Sequence, residues 1–147
     1  MEEQAAALAD AIEAALPSWV ERSVARVMAA WEGEVGDDVR HAAAEAGRQA
    51  ATEVGPQVRA LLAADIDDQH TTPLSLLRGA VRYPTAVLSA AGVPPVRRDE
   101  QQERLFPDDL YDLAPATFAD VDPALAEVGM AWGAAKAFEH LQRHKVK

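Results

Sequence analysis

Residues 123–141, PALAEVGMAWGAAKAFEHL, are apolar on most of a helical circumference. That is the pattern of a helix enclosed by other elements. Asp122-Pro123 supplies the start signal, a capping acid followed by proline at the first helical position. The run holds Leu125, Val128, Met130, Trp132, Phe138 and Leu141, with Gly129, Gly133 and Ala137 along one side. It predicts a buried last helix against which another backbone lies close. After Phe138 the character turns polar and basic, as at an exposed helix end. The preceding residues, 93–123, are dense in proline and acid and carry Asp99, Glu100, Glu103, Asp108, Asp109, Asp112, Asp120 and Asp122. Connections of this length are uncommon and tend to be functional or disordered. Phe106, Tyr111 and Phe118 offer aromatic anchors, so the expectation is an ordered strap wrapped round the last helix.

Upstream, the periodicity is helical throughout. Leu8, Ile12 and Leu16 recur every four residues in an alanine-rich stretch that Pro17 is expected to end. Ser18 with Glu21 forms a capping box for a second helix, whose face is Val20, Val24, Val27, Trp31 and Val35. Gly36 is the expected stop. Asp37 and Asp38 then cap a third helix with the stripe Val39, Ala43, Ala46, Ala50, Val54, Val58 and Leu61, and Gly55-Pro56 predicts a kink or break in it. With Gly36 alone between them, these two helices form an antiparallel hairpin. Thr72-Pro73 starts the next helical segment, Pro84 divides it and Gly92 ends it. Thr117 with Asp120 is a second small capping box. No internal repeat and no strand run stands out.

Composition supports the same class. Of 147 residues 49% are hydrophobic but only 5% aromatic, and alanine, the best helix former, dominates. A chain of this length buries about 68–70% of its unfolded surface, enough for one ordinary domain without staples. The net charge is −10 and unevenly placed: residues 1–65 and 99–123 each carry −7, while 66–98 and 124–147 each carry +2. Such a field disfavours polyanionic partners and anionic lipid surfaces, and its simplest role is solubility. With no cysteine, disulfides, thiolate metal sites and cysteine nucleophiles are excluded. No apolar run reaches the ~18–20 residues of a spanning helix, and the cytoplasm is the expected compartment.

Several stretches carry a resemblance: Tyr83-Pro84-Thr85-Ala86-Val87-Leu88, Ala91-Gly92-Val93-Pro94-Pro95-Val96, Arg98-Asp99-Glu100, Phe106-Pro107-Asp108-Asp109, Tyr111-Asp112-Leu113, Asp120-Val121-Asp122-Pro123 and Trp132-Gly133-Ala134-Ala135-Lys136-Ala137. Over about the last 65 residues the chain resembles an uncharacterised family of conserved cytoplasmic proteins from high-GC actinobacteria. The resemblance implies a source and carries no activity, cofactor or catalytic residue across.

Chemistry-bearing residues are few. His140 and His144 are one helical turn apart, and Asp38 with His41 and Asp67 with His70 are carboxylate–histidine pairs. Metal-binding bundles place such pairs in helix interiors, whereas these fall at presumed helix ends. Capping and a solvated basic tail are preferred, and no metal or cofactor is expected. Carboxylate acid–base catalysis needs burial to push pKa values apart; exposed loop acids lack it, and Asp99, Asp120 and Asp122 have uses as caps. No nucleophile elbow, phosphate loop or dinucleotide fingerprint is present, so no catalytic residue is assigned. Arg78, Arg82, Arg97 and Arg98 could form one basic edge, although neutralising the acidic strap is the preferred role. Trp19 and Trp31 lie on a helix rich in small apolar residues and are candidate contact points. The reading is an all-α, single helical domain: an N-terminal hairpin (1–70) and a C-terminal helical subdomain (71–147) around a buried last helix. It points to a non-enzymatic adaptor with a protein partner, homodimeric, through Trp19, Trp31, Arg78, Arg82, Arg97 and Arg98. The alternative is a helical metal-binding protein or enzyme using the histidines and loop carboxylates.

Overall fold

The structure is a computed structural model that describes residues 2–33, 35–64, 72–96 and 109–145, with side chains as far as Gln142. The chain is all-α. Its helices are α1 (Glu2–Glu32), α2 (Asp37–Ala63), α3 (Pro73–Gly79), α4 (Arg82–Ala90), α5 (Phe118–Val121) and α6 (Ala124–Lys145). None of the described helices is long and apolar enough to cross a membrane.

The hairpin of α1 and α2 is the centre of the molecule. Leu8, Ile12, Leu16, Val20 and Val24 recur every four residues on α1 and are fully buried. They meet Ala43, Ala46, Ala50, Val54, Val58, Leu61 and Leu62 of α2. Alanine supplies little area, so the stripe gains stability by letting the two backbones approach. Arg59 of α2 spans the outside of the pair, donating to Asp10 Oδ1 at 2.6 Å and Glu13 Oε2 at 3.0 Å. These hydrogen bonds, to Asp10 first and then to Glu13, raise the guanidinium pKa above its ordinary value. Exposed pairs of this kind contribute little stability; this one marks the antiparallel register.

Pro17 does not end a helix. It lies inside α1, which runs unbroken for 31 residues. An interior proline costs about 3 kcal/mol or more, but burying one large apolar side chain returns about 1.5–3 kcal/mol. Ile12, Leu16, Trp19 and Val20 flank the proline and are all buried, so a break there would cost more than the missing bond. The partner helix accommodates it with Gly47: a Cβ there would stand 2.9 Å from both Pro17 Cα and Pro17 O. Gly55-Pro56 likewise sits inside a continuous α2. The turn between the helices is longer than one glycine. Gly33 takes the left-handed conformation at φ +84° after α1 ends, and Gly36, extended, becomes the N-cap of α2. Asp37 and Asp38 fall in the first turn, where the helix dipole favours them.

The Thr72-Pro73 signal holds. Thr72 Oγ1 accepts from Ser75 N and Ser75 Oγ accepts from Thr72 N, each at 3.1 Å. The chain divides at Ala80–Val81, and Pro84 occupies the first turn of α4, where its missing N–H costs nothing. Leu77 and Leu88 from these helices are fully buried.

The strap and the last helix differ from expectation. Phe106 lies outside the described residues. Tyr111 is buried, but it pins the strap to α4, donating to Val93 O at 2.7 Å with Ser89 Oγ at 3.3 Å. Val96 N bonds Leu110 O at 2.9 Å. Phe118, on α5, does meet the last helix, where Gly129 leaves it room: a Cβ at that glycine would be 2.6 Å from Phe118 Cδ2. The two predicted caps are real. Asp120 Oδ2 accepts from Ala116 N and Thr117 N, and Asp122 Oδ1 from Ala124 N. Yet α6 is enclosed on one face of one half only. Leu125, Gly129 and Trp132 are buried, whereas from Gly133 to Gln142 no residue is. Met130, Phe138 and Leu141 are 74%, 63% and 65% exposed. The reason is coverage: α6 packs mainly on α1 and α5, too little to surround a helix of 22 residues.

Candidate functional site

Among the described residues, those singled out in the sequence do not converge. Trp19 is a core side chain at 4% exposure, and Trp31 is exposed near the end of α1. Arg78 is half-buried and donates through Nε to Pro115 O at 3.0 Å, anchoring the strap. Arg82 lies 4.9 Å from the centroid of the Tyr83 ring and donates to its hydroxyl at 2.9 Å. Arg97 and Arg98 fall outside the described residues, as do His70, Asp67 and the acids Asp99, Glu100, Glu103 and Asp108. His41 and His140 are both exposed, on α2 and α6. Among the described residues no three His, Asp or Glu side chains gather as metal ligands would. Asp109 is buried, and its role is architectural. Oδ1 takes Leu113 N at 2.7 Å and Oδ2 takes Ala114 N at 2.9 Å, which turns the chain through Asp112 at φ 55°.

Two surfaces stand out among the described residues. The first is a cleft of ≈ 440 Å³ between α1 and the strap. One wall is Trp19, Arg22, Ser23 and Arg26, which helical spacing puts on a single face. The other is Asp112, Leu113, Ala114, Pro115 and Asp120. Arg22 spends its guanidinium on carbonyls, Nη2 to Val121 O at 2.7 Å and Nε to Ser18 O at 3.2 Å. Sequence reasoning missed Arg22, Arg26 and Ser23. Their shared face was visible in the spacing, but nothing local told what opposed it.

The second surface is the outer face of α6. Met130, Ala134, Ala137, Phe138 and Leu141 are all exposed, and at 100° per residue they form one apolar stripe along the helix. A Cβ at Gly133 would meet nothing within 4 Å. On the opposite side Trp132 packs inward, with Lys136 Nζ 5.2 Å from its ring centroid. Compared with family models, with curated proteins and with solved structures, the chain matches none.

Proposed function

We propose that this chain is a non-enzymatic adaptor that works as a homodimer joined through the outer face of α6. The observation that carries the reading is the continuous exposed stripe of Met130, Phe138 and Leu141 with alanines between. Single exposed apolar residues need no explanation; a stripe along one helix does. The occupant best matched to it is a second copy laid antiparallel. Helix α6 begins with acid, Glu127 in its first turn, and its sequence ends with Arg143 and Lys145. An antiparallel two-fold brings the acidic start of each copy beside the basic end of the other and sets Met130 against Leu141. The small residues at the midpoint, Gly133, Ala134 and Ala137, let the backbones approach. The proposed setting is the cytoplasm, and the proposed kinship is the actinobacterial family that residues 83–137 resemble.

The stripe offers on the order of 400 Å² per copy, below the ~800 Å² of a standard interface. The dimer is therefore of the weak class, with a Kd on the order of 100 µM. Sedimentation equilibrium across that range should give a monomer–dimer isotherm. Phe138→Glu should abolish it while leaving the far-ultraviolet circular dichroism intact. A wild-type chain that stays monomeric at about 1 mM, or a Phe138→Glu variant that dimerises as well as wild type, would overturn the proposal.

A further inference from the structure

The apolar stripe of α6 adjoins a groove of ≈ 370 Å³ that runs between the start of α6 and the start of α1. Glu127, Val128 and Ala131 form its α6 side, and Glu3, Gln4 and Ala7 its α1 side. At about 100° per residue, Ala131 stands between the stripe and the buried face of α6, so the groove opens directly beside Met130. Glu3, Ala7, Glu127 and Ala131 are all exposed. The floor is apolar and the rim is acidic. Among the described residues neither Glu3 nor Glu127 forms an ion pair. Such a surface is complementary to a helix that carries an apolar side chain one turn before a cation.

We infer that the groove of each copy receives the end of the other's α6, an inference that rests on the α6 dimer proposed above. With Met130 opposite the partner's Leu141, residues 126–131 of one copy run alongside 140–145 of the other. A two-fold axis across an antiparallel pair brings like faces to the same side, so the groove side of α6 meets the groove side of its partner. On that side stand the partner's Leu141 and the partner's Lys145, four residues apart and therefore on one helix face. The partner's Leu141 lies over Ala131 and Ala7, and the partner's Lys145 reaches Glu127 and Glu3. The stripe alone falls short of the ~800 Å² per partner of a standard interface. The α1 wall is the adjoining apolar surface, and its charge is opposite to that of the helix end laid on it.

The test is sedimentation equilibrium of the full chain at low salt, where exposed ion pairs are least screened. Ala7→Arg, on α1 and outside the stripe, should weaken dimerisation about tenfold with unchanged circular dichroism. Ala42→Arg, at an exposed position of α2, should leave it unchanged. Each contact occurs twice in a two-fold dimer, so Glu3→Lys and Lys145→Glu should each weaken it about fivefold. Together they should return it to within about twofold of wild type. An Ala7→Arg protein that dimerises as tightly as wild type, with Phe138→Glu still monomeric, overturns this inference and leaves the α6 dimer standing. So does an equal loss in Ala42→Arg, or a charge swap weaker than either single change. A wild-type chain that is monomeric at about 1 mM overturns both.

Discussion

Replacing Gly47 by alanine tests whether the hairpin is held by close backbone contact at Pro17. In an unobstructed helix interior, glycine to alanine is stabilising by about 0.8–1.0 kcal/mol. At Gly47 the added Cβ would stand 2.9 Å from Pro17 Cα and O and 3.3 Å from Pro17 C. These are backbone atoms of a helix with buried residues on both sides of the proline, so they cannot swing away; α2 must move out along the stripe Ala43, Ala46 and Ala50. Overpacking of this kind costs about 1–3 kcal/mol. The net expectation is a loss of about 0–2 kcal/mol relative to wild type, and about 1–3 kcal/mol relative to the gain an open site would give. Gly55→Ala is the internal control. Its Cβ would meet the Glu13 side chain, with Cγ at 3.0 Å, and a half-exposed glutamate can turn aside. Urea denaturation of the three proteins, followed by circular dichroism at 222 nm (the standard helix band), measures the differences as midpoint shifts at constant m. A Gly47→Ala protein that gains as much stability as Gly55→Ala would refute the close contact and, with it, the explanation of why α1 passes through Pro17.

Trp19→Ala should destabilise the fold by about 3–5 kcal/mol, because the side chain is 96% removed from solvent (4% exposed); a change under about 1 kcal/mol in urea denaturation would show that the side chain is not packed. Asp109→Ala should strip the acceptors from Leu113 N and Ala114 N, at a cost of about 1–3 kcal/mol. Hydrogen exchange at those two amides should accelerate, whereas amides in the middle of α2 should change only as far as global stability falls; retained protection at Leu113 and Ala114 would contradict the assigned role.

The hairpin was legible because its signals are redundant. Leu8, Ile12, Leu16, Val20 and Val24 repeat with one period, and the alanine stripe of α2 answers them. The starts at Thr72, Asp120 and Asp122 were legible because a cap is decided within three or four residues. Pro17 misled for the complementary reason: its local cost is visible in the sequence, while the burial of Leu16, Trp19 and Val20 that outweighs it is a property of the packed hairpin. Met130, Phe138 and Leu141 misled in another way. An apolar helix face says that something should cover it, and not whether the cover comes from the same chain. The cleft was the least legible feature, since Arg22 and Arg26 come to line one cleft with Asp112 and Asp120 only through the path of the strap, which Arg78, Asp109 and Tyr111 fix.

Because the chain has no cysteine, one introduced thiol is a unique reporter of how α6 meets its partner. In the antiparallel dimer Ala134 lies close to the two-fold axis, whereas Gln142 is displaced from its counterpart by about 20 Å at about 1.5 Å per residue. At about 200 µM, Ala134→Cys should therefore cross-link to a covalent dimer with a short bis-maleimide, and Gln142→Cys should stay monomeric under the same conditions. Cross-linking at Gln142 as efficient as at Ala134, or none at Ala134, would contradict the pairing on which the proposed function stands.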